Sequence, residues 1–160
     1  MATQLVRSDG IYHGLPVFPE SIQGLTAVIT GANGISGYHM LRVLAENPQR
    51  WTKIYCLSRR PPAISGGLPA NAEFIACDFL EGADAVAEVL RKHGVTSVDH
   101  VFFFSYVQPP PKAEGAGIWS DVDELVRVNV KLLESLLGGL ETVGVKPKRI
   151  MLQTGAKAYG

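Results

Sequence analysis

From residue 25 onward the chain alternates short apolar runs with stretches of helical spacing. Residues 25–30 (LTAVIT) predict a buried strand that runs into a glycine-rich turn. Over 35–46, Ile35, His39, Leu41, Val43 and Leu44 recur at roughly helical spacing, and Asn47-Pro48 ends the helix. Residues 53–58 (KIYCLS) predict a second strand, and 73–77 (EFIAC) a third. Between them Pro61, Pro62, Gly66, Gly67 and Pro69 rule out regular structure. An amphipathic helix over 84–93 closes at Gly94. The fourth strand, 98–106 (VDHVFFFSY), is nearly continuous in apolar residues, as a central parallel strand covered on both faces should be. Three prolines at 109–111 open a loop, after which Ser120 is placed to cap a long helix. Asp121, Asp123 and Glu124 suit that helix's first turn. It runs to about residue 143, with Leu125, Leu132, Leu133, Leu136, Leu137 and Leu140 as its buried side, and 149–154 (RIMLQT) form the fifth strand. Residues 1–24 read as an irregular arm, because Gly10, Gly14, Pro16 and Pro19 break any period.

Strands that alternate with helices, on crossovers long enough to reach a parallel neighbour, define an α/β class. The expected architecture is a doubly wound Rossmann sheet over 25–160, ordered 3-2-1-4-5 in its own strands and lacking the strands that usually follow. Composition changes this picture little. At 160 residues and 46% hydrophobic, the chain can bury one full core. A net charge of zero points to neither nucleic acid nor an anionic membrane surface as a partner. The four histidines form no ligand-spaced pair, so no metal is expected. Cys56 and Cys77 lie in apolar strand runs and read as buried thiols of a reducing compartment, a disulfide being the alternative. No apolar segment approaches a membrane span, so a cytoplasmic location is expected.

The chemistry enters at the first turn. Thr30-Gly31-Ala32-Asn33-Gly34-Ile35-Ser36-Gly37 spaces its glycines G-x-x-G-x-x-G between a strand and a helix, the context in which such a motif cradles a dinucleotide. The first glycine allows the tight turn and the second lets backbone approach the pyrophosphate. The third lets the helix pack on the sheet, and the N–H groups at the helix start face the phosphates. Thr30, Gly31, Asn33, Gly34, Ile35 and Gly37 are therefore candidate cofactor contacts. An NAD-selective site usually carries Asp or Glu at the end of the second strand, for the ribose 2′-hydroxyl. This chain has Ser58-Arg59-Arg60 there, and guanidinium groups suit a 2′-phosphate that a carboxylate would repel. NADPH is the expected cofactor. Asp78 and Phe79, after the third strand, are candidates to meet the adenine, with a capping role the alternative for Asp78. Phe104, Ser105 and Tyr106 end the fourth strand where the chain would pass beneath the ribose and nicotinamide; Tyr106 is equally a sheet-end aromatic. Phe102 and Phe103 read as core. Asn129, the lone polar residue in the long helix's apolar seam, either bridges to backbone near the site or is a satisfied core amide.

Together these residues resemble the extended short-chain dehydrogenase/reductase superfamily. The ending Leu152-Gln153-Thr154-Gly155-Ala156-Lys157-Ala158-Tyr159-Gly160 is similar to the progesterone 5-beta-reductase and iridoid synthase-like enone reductases, which carry Thr-Gly-x-Lys-His-Tyr after the fifth strand. The resemblance implies NADPH-dependent reduction of an activated C=C bond, or of a carbonyl, in a small enone or carbonyl substrate. It maps the family's catalytic lysine onto Lys157 and places Gln153, Thr154 and Gly155 beside the cofactor. A cationic amine there would stabilise negative charge building on the substrate oxygen.

The sequence departs from that pattern twice. Ala158 stands where the family has His, and the family's catalytic tyrosine lies beyond the lysine on the next helix, past Gly160. Tyr159 belongs to the lysine element and does not take that role. No Tyr-x-x-x-Lys is present: the fourth residue after Tyr12, Tyr38, Tyr55 and Tyr106 is Pro16, Arg42, Arg59 and Pro110 respectively. Three expectations follow: a reductase whose C-terminal part lies outside this chain, a non-catalytic NADPH-binding module, or a half-domain completed by another chain. For the last, the apolar edge Ile150-Met151-Leu152 is a surface for association.

Overall fold

The computed structural model of the protein describes residues 6–155. Its main element is a parallel sheet of β3 (Leu25–Thr30), β4 (Trp51–Ser58), β5 (Ala72–Ala76), β6 (His100–Phe103) and β7 (Arg149–Leu152). Neighbours run β5-β4-β3-β6-β7, which is 3-2-1-4-5 when counted from the first parallel strand. Preceding it, β1 (Val6–Asp9) and β2 (Tyr12–Pro16) form an antiparallel hairpin with Asp9 opposite Tyr12. This corrects the irregular arm expected there. Of the two turn residues, Gly10 and Ile11, only Gly10 takes a positive φ, +58°, as a II′-type hairpin turn requires. A glycine that breaks a helical period here makes a strand reversal.

Helix α1 (Ile35–Ala45) covers one sheet face, while α2 (Ala83–Lys92) and α3 (Val122–Thr142) cover the other. Strand β3 shows why both faces need covering. Its alternate residues Ala27 and Ile29 pack with Leu41, Leu44 and Ile54 on the α1 side. Val28 packs with Val86, Leu90, Leu132, Leu136 and Leu140 on the opposite side. No helix joins β4 to β5. The proline- and glycine-bearing loop lies there instead, and its Ile64 and Leu68 pack against the α1-side core. Cys56 and Cys77 are buried free thiols. Burial pushes Cys56 up to about 12 and Cys77 up to about 11, with Asp78 and Glu81 adding to the latter, so both are neutral packing groups.

Several boundaries differ from the sequence pattern. β6 stops at Phe103, not residue 106, because the next two amides leave the ladder: Phe104 and Ser105 N–H both donate to the Thr30 hydroxyl, each at 3.1 Å. β7 ends at Leu152, not at residue 154. The cap of α3 is Asp121, whose Oδ1 accepts from Glu124 N–H at 3.1 Å. Ser120, expected in that role, instead accepts from Lys112 N–H at 3.0 Å and ties down the loop before the helix. No helix among the described residues is long and apolar enough to cross a membrane.

At the amino ends of the strands, Asp99 joins three of them. Its Oδ2 accepts from Thr26 N–H at 2.8 Å, its Oδ1 pairs with Lys148 Nζ at 2.7 Å, and its carbonyl accepts from Lys148 and Arg149 N–H. Burial alone would raise the Asp99 pKa, but the Lys148 ammonium and the Thr26 amide outweigh it, and the carboxyl sits below its ordinary range. A depressed carboxylate contributes stability above its unfolded-state pKa and loses it as pH falls through the folded value. Asp99→Asn is therefore expected to cost about 1 kcal/mol at neutral pH, with the deficit shrinking as pH drops below the ordinary aspartate range. Urea denaturation of both proteins across acid pH checks this; a deficit independent of pH would contradict it.

Candidate functional site

The site lies at the carboxyl ends of the strands, where β4 departs to one side of β3 and β6 to the other, the crevice in which open α/β sheets bind ligands. Two adjoining lobes share Gly31, Gly34, Phe104, Ser105 and Tyr106. The first, about 330 Å³, also takes in Asn33, Ser58, Arg59, Arg60, Asp78 and Phe79. The second, about 490 Å³, takes in Ile35, Gly37, Gln153, Thr154 and Gly155. The chain thus brings together the glycine turn, the arginine pair, the acid after β5 and the ends of β6 and β7. Lys157 lies outside the described residues.

The glycine turn is shaped by contacts that leave no room for side chains. Gly31 has φ +67°, and a Cβ there would stand 2.8 Å from the Phe104 carbonyl oxygen. A Cβ on Gly37 would collide with the Gly31 carbonyl oxygen, so α1 can start this close to β3 only with hydrogen at that position. Gly34 differs. Its φ is −82°, and its Cβ would meet only the Gly31 oxygen, at 3.4 Å. Nothing in the fold demands glycine at 34; its bare backbone opens on the cleft that it lines. The helix start has no side-chain cap and no acidic residue in its first turn. The N–H groups of Ile35, Ser36 and Gly37 precede the first helical bond, from Tyr38 N–H to Gly34 carbonyl, and so remain for an anion. Bare backbone at 34 and an uncapped positive helix end fit a pyrophosphate.

Thr30 corrects an expectation. It is fully buried and lines neither lobe; its hydroxyl latches the chain after β6 to the end of β3. Thr30 shapes the floor of the site from behind it. Asp78 carries its capping role within the site. Its Oδ1 accepts from Leu80 N–H at 2.9 Å, starting the short 3-10 turn Phe79–Glu81 while the residue lines the first lobe. Tyr106 is exposed, and its hydroxyl donates to Gln108 at 2.8 Å. Arg59 and Arg60 are exposed, and among the described residues neither guanidinium is paired with a carboxylate. Guanidinium groups that line a cleft beside an uncapped helix start suit a negative charge.

Asn129 unites the two roles left open for it. Its Nδ2 donates to the Val107 carbonyl at 2.8 Å and to the Leu125 carbonyl at 2.9 Å, and its Oδ1 accepts from Val107 N–H at 2.9 Å. Both backbone groups of Val107, which lines the first lobe, are satisfied by one side chain. Asn129→Ala is expected to lower stability by about 2–3 kcal/mol by leaving those groups unpaired. A shift of the urea midpoint at unchanged slope checks this; an unchanged midpoint would contradict it. The sequence pattern also missed part of the wall: Cys77, Leu80, Val107 and Leu132 supply the apolar side of the first lobe. Leu132 was legible only as a core residue of α3, and Val107 follows the strand by contact with Asn129, a link no local spacing reveals. Among the described residues no group of three or more His, Cys, Asp or Glu is arranged to hold a metal.

The parallel sheet in the order 3-2-1-4-5, with helices on both faces, is a Rossmann fold. The sequence profile of the NAD dependent epimerase/dehydratase family matches residues 27–160, and the chain belongs to that family. Its cofactor class is therefore a nicotinamide dinucleotide. Similar curated proteins include the short chain dehydrogenase gsfE of Penicillium aethiopicum, 31% identical over 136 residues, and the short chain dehydrogenase sirS of Leptosphaeria maculans, 28% identical over 145 residues. Each alignment takes in 84% of this chain, but 33% of gsfE and 34% of sirS. The chain spans about a third of the length of the curated relatives it matches. Among solved structures, a short chain dehydrogenase family protein from Francisella tularensis superposes with a TM-score of 0.61 at 18% identity, over 84% of this chain and 52% of that one. A UDP-glucose 4-epimerase gives 0.60 at 16% identity, over 84% of this chain and 37% of that one. At these identities the two structures speak for the fold alone.

Proposed function

We propose that the protein is an NADPH-dependent oxidoreductase that reduces an activated C=C bond, or a carbonyl, in a small enone or carbonyl substrate. The observation that carries the cofactor assignment is the pair Arg59 and Arg60, without a carboxylate partner among the described residues, at the first lobe directly past β4, with Ser58 where an NAD-selective site has its acid. Their forked donors match the 2′-phosphate, while the glycine turn and the start of α1 receive the pyrophosphate. Bound NADPH supplies the hydride. The residues lining the two lobes would hold it: Asp78 and Phe79, in the first lobe, would meet the adenine, while Ser105, Tyr106 and Gln153–Gly155 border the second.

The choice of an enone rests on the likeness of 153–159 to the progesterone 5-beta-reductase and iridoid synthase-like reductases. In that reading Lys157 holds a positive charge near the substrate oxygen and stabilises the enolate as hydride reaches the β-carbon. The short chain dehydrogenase relatives support hydride chemistry in general. Binding and turnover test the two parts separately. NADPH is expected to bind about tenfold tighter than NADH or better, and NADPH absorbance is expected to fall when small enones or carbonyl compounds are added. Equal or tighter binding of NADH would overturn the cofactor assignment. A panel of enones and carbonyls that leaves NADPH unconsumed would overturn the activity.

A further inference from the structure

Asn33 and Ser58 lie 25 residues apart in sequence, one in the glycine turn and one at the end of β4, yet both reach the same backbone oxygen. Asn33 Nδ2 donates to the Arg60 carbonyl at 2.9 Å, and Ser58 Oγ donates to it at 2.7 Å. The Asn33 Oδ1 accepts from Ala63 N–H at 3.0 Å. Only one orientation of the amide provides a donor to a carbonyl and an acceptor for an N–H at once, so the network itself fixes how Asn33 points. The segment that carries both guanidinium groups is thereby tied to the turn that receives the pyrophosphate. Two bonds from Asn33 fix its distance from that turn, at Arg60 and again at Ala63, while Ser58 ties the Arg60 carbonyl to the end of β4.

We infer that Asn33 and Ser58 are positioning residues that set the preference for NADPH over NADH by holding the Arg60 backbone. Both line the first lobe, and their effect on the preference runs through the arginines that they position. The inference rests on the reading that Arg59 and Arg60 take the 2′-phosphate. Arginine side chains are long and rich in rotamers, and a phosphate gains forked bonds only if their stems leave the backbone at the right place. Released from Asn33, the exposed loop samples other positions, and the guanidinium groups lose orientation without losing charge. The part of the nucleotide that NADPH and NADH share is held by the glycine turn and α1, so it does not register this change.

The test measures dissociation constants for NADPH and NADH in the whole protein, with competition by 2′,5′-ADP and 5′-AMP to isolate the phosphate. Asn33→Ala is expected to weaken NADPH and 2′,5′-ADP about tenfold and NADH and 5′-AMP less than about twofold. Ser58→Ala should shift the same ratio by about threefold, and Ser58→Thr, which keeps the hydroxyl, should restore it. A purely structural role would weaken both dinucleotides alike, and that result overturns the inference. So does an unchanged ratio in Asn33→Ala. If Asn33→Ala does not fold, identical ratios in Ser58→Ala and Ser58→Thr overturn it instead. The double variant Arg59→Ala/Arg60→Ala separates the two levels. If it leaves the ratio intact, the 2′-phosphate reading itself has failed. If it collapses the ratio while the Asn33 and Ser58 variants do not, only the positioning role has failed.

Discussion

Gly37→Ala is expected to abolish dinucleotide binding and to destabilise the fold by about 3 kcal/mol, near the upper end of overpacking substitutions. The added Cβ would overlap the Gly31 carbonyl oxygen and stand 2.8 Å from its carbon and 2.9 Å from Ala32 Cα. All three atoms are backbone, so no side chain can swing away. Either α1 lifts from the sheet or the turn unwinds. Lifting the helix withdraws Leu41 and Leu44 from the core they share with Ala27, Ile29 and Ile54. Unwinding the turn moves Gly31, whose own space is bounded by the Phe104 carbonyl. Gly34→Ala provides the contrast. With φ at −82° and one contact at 3.4 Å, the fold should accept alanine within about 0.5 kcal/mol, while binding falls because the methyl stands where backbone must approach phosphate. Urea denaturation and NADPH titration of the two variants read these effects apart. Wild-type binding by Gly34→Ala would remove the pyrophosphate from this turn.

Arg59→Ala/Arg60→Ala is expected to weaken NADPH by about a hundredfold and NADH by no more than about threefold. A charge-assisted hydrogen bond contributes roughly 1.5–3 kcal/mol, and two guanidinium groups at an exposed loop, discounted for solvent, give about 3 kcal/mol, or close to a hundredfold. Because both side chains are exposed, salt should narrow the gap between NADPH and NADH in the wild type and leave the double variant nearly indifferent. Titrations at low and high salt measure both effects. Equal losses for the two cofactors would mean that the arginines support the nucleotide in general and do not read its phosphate.

How much of this was written in local sequence differs from element to element. Strand β3 and the turn after it were legible because a strand buried on both faces and a glycine triplet at a helix start have few other uses. The arginine pair was legible as a cleft-lining feature because its place after the second parallel strand puts it at the carboxyl edge of the sheet. The hairpin was obscured by the same glycines that make it, although Asp9-Gly10 between two extended runs is itself a turn signal. The end of β6 was misjudged because Phe104-Ser105-Tyr106 continues the apolar run, and only the Thr30 hydroxyl, 74 residues earlier in the chain, draws those amides out of the ladder. Ser120 and Asp121 are equivalent caps on paper; Lys112 engages one of them and leaves the other for the helix. Asn33 lines the cleft as its motif position suggested, but its tie to the loop after β4 was not legible. Its partners lie 27 and 30 residues away, beyond what spacing can show.

The loop after β4 does two jobs with one stretch of backbone. Its first residues, Arg59 and Arg60, face the cleft, and a few positions later Ile64 and Leu68 plug the sheet face that a helix would otherwise cover. On the proposed reading of Arg59 and Arg60, cofactor choice is therefore not a detachable module in this protein. A graft that imports the corresponding loop of an NADH-dependent relative would carry the new polarity but pull the stopper from the core, and the chimera would lose solubility before it changed allegiance.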